Sequence, residues 1–156
     1  MNDYKTELEK KGVIGFVPAG NSMWPTIKNG RQSVVVVKKD GRLKKYDVAL
    51  YLRKNGQYVL HRVIGLKKDG YIMIGDSQTN LETVAEEQVV GVLQGFCRGN
   101  NFIECSDKKY IEEVEKWFKN EKRRQRKIKF FYFRLKIKNR IKRLFKKNKN
   151  EEIEND

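Results

Sequence analysis

Six short segments rich in β-branched and aromatic residues constrain the fold of this chain more than any other feature. They are separated by turn sequences such as KNG and KKDG, in which Gly, Asn and Asp supply the backbone conformations that hairpins need. No long helical pattern lies between them, so the sequence favours a mainly β, compact, coiled antiparallel fold over a doubly wound sheet. One short helical turn is expected within TVAEEQVVG. The segments are SVVVVKK (33–39), DVALYLRK (47–54), QYVLHRVIGL (57–66), GYIMIG (70–75), QVVGVLQGFCR (88–98) and NFIEC (101–105).

The composition changes near Asp107. Residues 108–149 contain no Gly or Pro, and Ser106 and Asp107 are residue types that cap helices, so this stretch predicts a C-terminal basic amphipathic helix. Of the net charge of +15, residues 1–107 hold 16 Lys/Arg against 12 Asp/Glu, and the rest of the chain holds 19 against 8. We therefore predict a β domain over residues 1–107, a basic helical tail over residues 108–149 and an acidic, disordered end over residues 150–156.

The tail carries an apolar stripe within about a third of the helical wheel at about 100° per residue. Such a stripe among cations suits a helix lying on an anionic membrane surface. The stripe could equally pack on the β domain, and nucleic acid is a third and less favoured partner. No apolar run approaches the ~18 residues of a membrane span, and the first residues lack the apolar core of a secretory signal. The expected location is cytoplasmic or peripheral at the cytoplasmic membrane face. The stripe comprises Phe130, Phe133, Ile137, Ile141 and Leu144, with Phe145 beside them.

Two cysteines, Cys97 and Cys105, match no metal-binding spacing, and the chain has only one histidine that could join them. We expect buried, reduced thiols and no metal site, with a disulfide between the two cysteines as the alternative. A lysine-rich chain with two cysteines gives no sign of an oxidising compartment.

Ser22 lies in the segment AGNSMWPTIKNG (19–30), where Gly20, Asn21 and Pro25 favour irregular backbone. A plain turn is one interpretation of this segment. A nucleophilic serine is the other, and it requires a base, because a serine hydroxyl is a weak nucleophile at neutral pH.

His61, in YVLHRVIG (58–65), is the only histidine and hence the candidate base at neutral pH. Alone it would more simply be a half-buried strand residue. Asp76 follows the next strand-like segment, where it could accept a hydrogen bond from the second ring nitrogen or form an ordinary turn. The three residues together predict a Ser-His-Asp site.

The segments GNSMWPTI, YDVALY, YVLHRVIG and GYIMIGDSQTNLE, in this order, resemble the signal peptidase I and LexA-like serine peptidase superfamily over roughly residues 13–105. The Ser-Met-x-Pro signature of that superfamily stands here at residues 22–25. Where bacterial type I enzymes have a lysine base before Arg-Val-Ile-Gly, this chain has His61, which makes it similar to the archaeal and endoplasmic reticulum type. The resemblance implies that type of β fold, Ser22 as nucleophile, His61 as general base and Asp76 as supporting acid, with no cofactor.

The chain departs from the family pattern at two places in the site. Gly20 and Asn21 replace the usual Ser-Gly pair before the nucleophile, so backbone N–H groups beside Met23 and the Asn21 amide would form the oxyanion hole. A second acidic residue expected after Gly-Asp is Glu82. The third role therefore stays open between Asp76 and Glu82.

The expected function is a serine endopeptidase of the signal peptidase type that cleaves a precursor protein or leader peptide, with small residues before the cut implied by the resemblance. One alternative is a nucleic-acid-binding regulator of LexA-type ancestry with the tail on phosphates, although residues 1–12 are too few for a DNA-binding domain. The other is a catalytically inactive adaptor. The geometry of Ser22 and His61 distinguishes these alternatives.

Overall fold

A computed structural model describes the backbone of residues 3–153 and the side chains of residues 3–143. The predicted stripe residue Leu144, its neighbour Phe145 and residues 154–156 of the predicted disordered end therefore lie outside the described side chains or backbone. The described elements are α1 (Tyr4–Lys11), β1 (Val13–Phe16), β2 (Val34–Val37), β3 (Val48–Leu52), β4 (Tyr58–Lys67), β5 (Gly70–Ile74), β6 (Glu82–Ala85), a short 3-10 turn (Glu86–Gln88), β7 (Val89–Arg98), β8 (Asn101–Glu104), α2 (Lys108–Lys119) and α3 (Glu121–Ile153).

The strands form one antiparallel sheet in the order β1-β2-β7-β3-β4-β5-β6, and β8 pairs with β7. The prediction of a mainly β, antiparallel fold is confirmed, and each of the six predicted segments contains a strand. The turn expected within TVAEEQVVG is also confirmed as the 3-10 turn, but it follows a strand, β6, that was not among the six.

Helix α1 was also not predicted, because it lacks an apolar stripe and buries only Leu8. Its ends nevertheless carry ordinary signals. The side chain of Asp3 accepts a hydrogen bond from the N–H of Thr6, and Gly12 ends the helix with φ of 74°. A cap pair of this kind is the sequence signal that would have located the helix.

Successive residues of β4 point to opposite faces of the sheet. His61 and Val63 lie on one face, and Leu60 and Arg62 lie on the other. The first face carries a hydrophobic core of Leu43, Ala49, Tyr51, Val63, Tyr71, Met73 and Val84. The single histidine is therefore placed at the margin of this core.

The chain forms two compact units, Met1–Lys116 and Trp117–Asp156. The first extends beyond the predicted boundary at residue 107, because Tyr110 and Val114 of α2 are buried and the Tyr110 ring lies 5.7 Å from that of Phe96 in β7.

The predicted tail helix is interrupted at Asn120, whose side chain accepts the N–H of Arg123 at 2.9 Å and so caps α3. Within the described residues, no helix is long and apolar enough to cross a bilayer.

Candidate active site

The segment that carries Ser22 is a series of tight turns between β1 and β2. The carbonyl of Asn21 accepts the N–H of Trp24 at 3.0 Å, and the carbonyl of Met23 accepts the N–H of Ile27 at 2.9 Å. The side chains of Met23 and Ile27 are buried and anchor the segment, and Ser22 just before them is half-buried. Gly20 begins the segment with φ of 89°, a left-handed conformation that favours glycine.

This segment is hydrogen-bonded to the turn that follows β5. The N–H of Ser77 donates to the carbonyl of Ser22 at 2.8 Å, and the Ser77 hydroxyl donates to the carbonyl of Asn21 at 2.6 Å. Gly75 allows this close approach: a Cβ atom at residue 75 would lie 2.7 Å from the Ser22 carbonyl oxygen and 2.8 Å from Oε1 of Gln78. A glycine is required at this position because no side chain fits beneath Ser22.

The register of β4 and β5 shows on which face Ser22 lies. Arg62 pairs with Ile74, so the next position of this antiparallel ladder sets His61 beside Gly75. Residues opposite one another share a face of the sheet. The Ser22 carbonyl lies in the direction of the missing Gly75 side chain, which is the face that the His61 side chain occupies. The backbone at Ser22 is therefore brought to the His61 side of the sheet.

The His61 ring is 2% exposed and has two acceptors at Nδ1. The Tyr51 hydroxyl lies 3.2 Å from Nδ1, and Oε1 of Glu82 lies 3.4 Å from it. The Tyr51 hydroxyl donates to Oε2 of Glu82 at 2.9 Å, so its oxygen is free to accept a proton from the ring. This arrangement favours the tautomer with a proton on Nδ1 and a lone pair on Nε2. Among the described residues, no hydrogen bond joins the ring to the Ser22 hydroxyl.

Glu82 is held in place by Arg53 as well as by Tyr51. Nε of Arg53 donates to Oε2 at 2.9 Å, and its Nη2 forms a close ion pair with Oε1. Partial burial works against ionisation of Glu82, but the hydrogen bonds from Arg53 and Tyr51 lower its pKa below the ordinary value. Burial raises the pKa of Tyr51, and the bond to Glu82 raises it further. Glu82 is thus a carboxylate and Tyr51 a neutral donor at neutral pH.

The pKa of His61 is below its ordinary value of 6.5, chiefly because burial penalises the charged ring. The carboxylate of Glu82 acts in the opposite direction, since its negative charge favours the imidazolium. The ring is consequently neutral at pH 7, which is the state that a general base needs.

Asp76 pairs with Arg62, whereas the resemblance implied that it supports His61. Nε and Nη2 of Arg62 donate to its two oxygens at 2.7 Å each, and the Thr26 hydroxyl donates a further bond. Both members of the ion pair are 0% exposed. The reason is the alternation of β4, which sends Arg62 and His61 to opposite faces, while Asp76 follows Ile74 on the Arg62 side. The carboxylate that meets Nδ1 of His61 is that of Glu82.

Arg62 is a structural residue that the sequence analysis did not assign. Besides Asp76, it donates to the carbonyl of Tyr46 at 2.8 Å and to the hydroxyl of Tyr110 at 3.1 Å. A charged residue between apolar neighbours in a strand was the available signal. Through Asp76 and Thr26 it ties the end of β5 to the Ser22 segment.

The candidate oxyanion residues, Asn21 and Met23, flank Ser22 in the chain. Across residues 3–143, no side chain or carbonyl accepts the backbone N–H of Ser22 or Met23, so both donors are available. Asn21 is half-buried next to them. Two adjacent N–H groups beside a nucleophile are the usual components of an oxyanion hole.

A comparison of the chain with models of known protein families found no match, and neither did a comparison with curated proteins.

Over the described side chains, no group of three His, Cys, Asp or Glu residues could hold a metal ion. Cys97 and Cys105 are free, half-buried thiols, and burial raises the pKa of Cys105 to about 11.

Proposed function

We propose that this chain is a serine endopeptidase of the signal peptidase type, with the corresponding peptidase fold, that cleaves a precursor protein or leader peptide. The observation that carries the proposal is the docking of the Ser22 backbone over Gly75, on the face of the sheet where His61 lies. Ser22 acts as the nucleophile, His61 as the general base and Glu82 as the carboxylate that orients the ring. Among the two acidic candidates, Glu82 is preferred because it is the one near Nδ1.

The first step is the attack of Ser22 on a peptide carbonyl. Nε2 of His61 takes the hydroxyl proton as Oγ forms a bond to the carbonyl carbon, and the negative charge on the carbonyl oxygen is received by the N–H groups of Ser22 and Met23, with the Asn21 amide beside them. His61 then gives the proton to the leaving amine as the C–N bond breaks. A water molecule, deprotonated by the same ring, releases the acyl group and restores Ser22.

The surroundings of His61 suit this proton transfer. The Nδ1 proton is held by Tyr51 and Glu82, so the basic lone pair is kept on Nε2. The imidazolium that forms during the attack lies close to the Glu82 carboxylate, which stabilises its charge. Arg53 prevents Glu82 from turning away, because its guanidinium contacts both carboxylate oxygens.

The test is cleavage of a diverse peptide library by the full chain, with the cut sites identified by mass spectrometry. We expect Ser22→Ala and His61→Ala each to abolish the cuts, and the double variant to be no worse, because nucleophile and base act as a unit. Ser33→Ala is the matched control, since Ser33 is an exposed serine outside the site.

Three outcomes separate the proposal from its alternatives. Cuts that survive Ser22→Ala at the wild-type rate would show that they come from a contaminant or from another residue. A wild-type chain that binds peptides without cutting any of them would favour the inactive adaptor. A preference for small residues before the cut would support the signal peptidase type in particular.

A further inference from the structure

Helix α3 carries a feature that the proposed peptidase does not use. Its described side chains, residues 121–143, include twelve Lys/Arg and one Glu. Tyr132 is 41% exposed, and four other large apolar side chains on the helix are exposed as well: Phe130 by 61%, Phe133 by 59%, Ile137 by 43% and Ile141 by 47%. We call these four residues the exposed stripe. Exposed apolar side chains that recur along one face of a charged helix mark an interaction surface.

The exposed stripe occupies one sector of the helix. At about 100° per residue, its four residues fall within roughly 80° of one another. Ile128 falls on the opposite side of the wheel and is only 6% exposed. The stripe thus lies on the side of the helix away from the buried Ile128, and its side chains are exposed. From Phe130 to Ile141 the stripe is about 16 Å long, at about 1.5 Å per residue.

Exposed cations border the stripe on both sides. The guanidinium of Arg134 lies over the ring of Phe130, 5.8 Å from its centre, so charge and apolar surface are in direct contact. Long basic side chains next to an apolar face can lay their stems along it and keep their charged ends in water. The bordering cations are Lys129, Arg134, Lys136, Lys138 and Arg140.

We infer that α3 lies in the surface of an anionic lipid bilayer, with the exposed stripe in the acyl boundary and its cations among the headgroups. The positive charge of α3 favours this partner, because a helix face with so many cations binds an anionic surface. A second copy of the helix would repel it through the same charge. A nucleic acid would use the cations and could stack on the rings, but it would gain little from Ile137 and Ile141.

This inference is independent of the peptidase proposal, and the two fail separately. The full chain is mixed with vesicles of phosphatidylglycerol and phosphatidylcholine, with vesicles of phosphatidylcholine alone, or with double-stranded DNA, at physiological salt. We expect binding to the vesicles that contain phosphatidylglycerol and little binding to the neutral ones. Cleavage of soluble peptides should be the same in all variants of the tail.

Two double variants separate the apolar contribution from the charge. Ile137→Gln with Ile141→Gln changes no charge and keeps good helix formers, so it removes only apolar surface. We expect it to weaken vesicle binding by at least about tenfold, since each buried Ile side chain contributes about a tenfold factor or more, and to leave DNA binding unchanged. The matched pair Lys136→Gln with Lys142→Gln should weaken binding to both vesicles and DNA.

The inference is overturned by any of three results. The first is that the wild-type chain does not sediment with the anionic vesicles. The second is that the variant with Ile137→Gln and Ile141→Gln binds them as tightly as wild type. The third is that the chain binds DNA more tightly than it binds the vesicles. The last result would identify nucleic acid as the partner of the tail. Circular dichroism of each variant checks that the helix content is retained.

Discussion

Gly75→Ala is the substitution that tests the geometry of the site most directly. The new methyl group would lie 2.7 Å from the Ser22 carbonyl oxygen, 2.8 Å from Oε1 of Gln78 and 3.0 Å from its Cδ. Gln78 can turn aside, but the Ser22 carbonyl belongs to the backbone. The Ser22 segment must therefore move away from β5.

The effect on stability follows from two contributions. Overpacking a tight contact costs about 1–3 kcal/mol. Moving the Ser22 carbonyl also weakens its 2.8 Å bond from the N–H of Ser77, and a hydrogen bond contributes about 1 kcal/mol. We expect the free energy of unfolding to fall by about 2–4 kcal/mol, measured by urea denaturation.

The effect on activity is separate from the effect on folding. A displacement of about 1 Å at a reacting group can cost on the order of a hundredfold in rate, so kcat/KM for a cleaved peptide should fall by about that factor in the fraction that remains folded. Gly15→Ala is the matched control, because its Cβ would lie 3.7 Å from the Val34 carbonyl, an ordinary contact. Wild-type kcat/KM in a folded Gly75→Ala variant would refute the argument that Gly75 positions Ser22 relative to His61.

Three further predictions concern the charged groups. Glu82→Gln should lower kcat by roughly a hundredfold, which is less than removal of the aspartate costs a Ser-His-Asp triad, because Tyr51 still contacts the ring. It should also move the acid limb of the pH profile to lower pH, because a charge that raises the pKa of His61 is lost. Glu86→Gln, outside the site, should have neither effect. Asp76→Asn should lower the free energy of unfolding by about 3–5 kcal/mol in urea denaturation, because Arg62 would be left buried with its charge uncompensated; a loss below about 1 kcal/mol would contradict the ion-pair argument. As the pH falls below 6.5, the ordinary pKa of His, the unfolded chain binds a proton at residue 61 more readily than the folded chain. The free energy of unfolding should therefore fall as the pH falls, and His61→Gln should reduce that slope.

Several elements of the fold could be predicted from local sequence. Turn sequences such as KNG and KKDG separate the strands, and Asp107 caps α2 by accepting the N–H of Lys109 at 2.8 Å. The strand β6 was missed because four residues beside a polar turn carry little periodic signal. Asn120 was missed because an uninterrupted run of helix-forming residues conceals the end of one helix and the start of the next.

The residue types of the site were likewise available from the sequence. The only histidine stands in a strand-like segment, and a serine with glycine, asparagine and proline around it predicts an irregular segment. Which carboxylate meets the histidine was not available. Asp76 and Glu82 both follow β5 closely in the chain, and local patterns do not distinguish them.

Only the tertiary structure decided between them, through strand pairing. The face that a strand residue occupies is set by alternation, which is local, but its neighbours on that face come from strands paired with it at long range. Glu82 reaches His61 because β6 follows β5 back across the sheet, and Asp76 meets Arg62 because it continues the other face. The same holds for α3, where the sequence predicts the apolar stripe and only the structure shows that its described side chains are exposed. Sequence thus determines which chemistry is available, and long-range packing determines which groups meet.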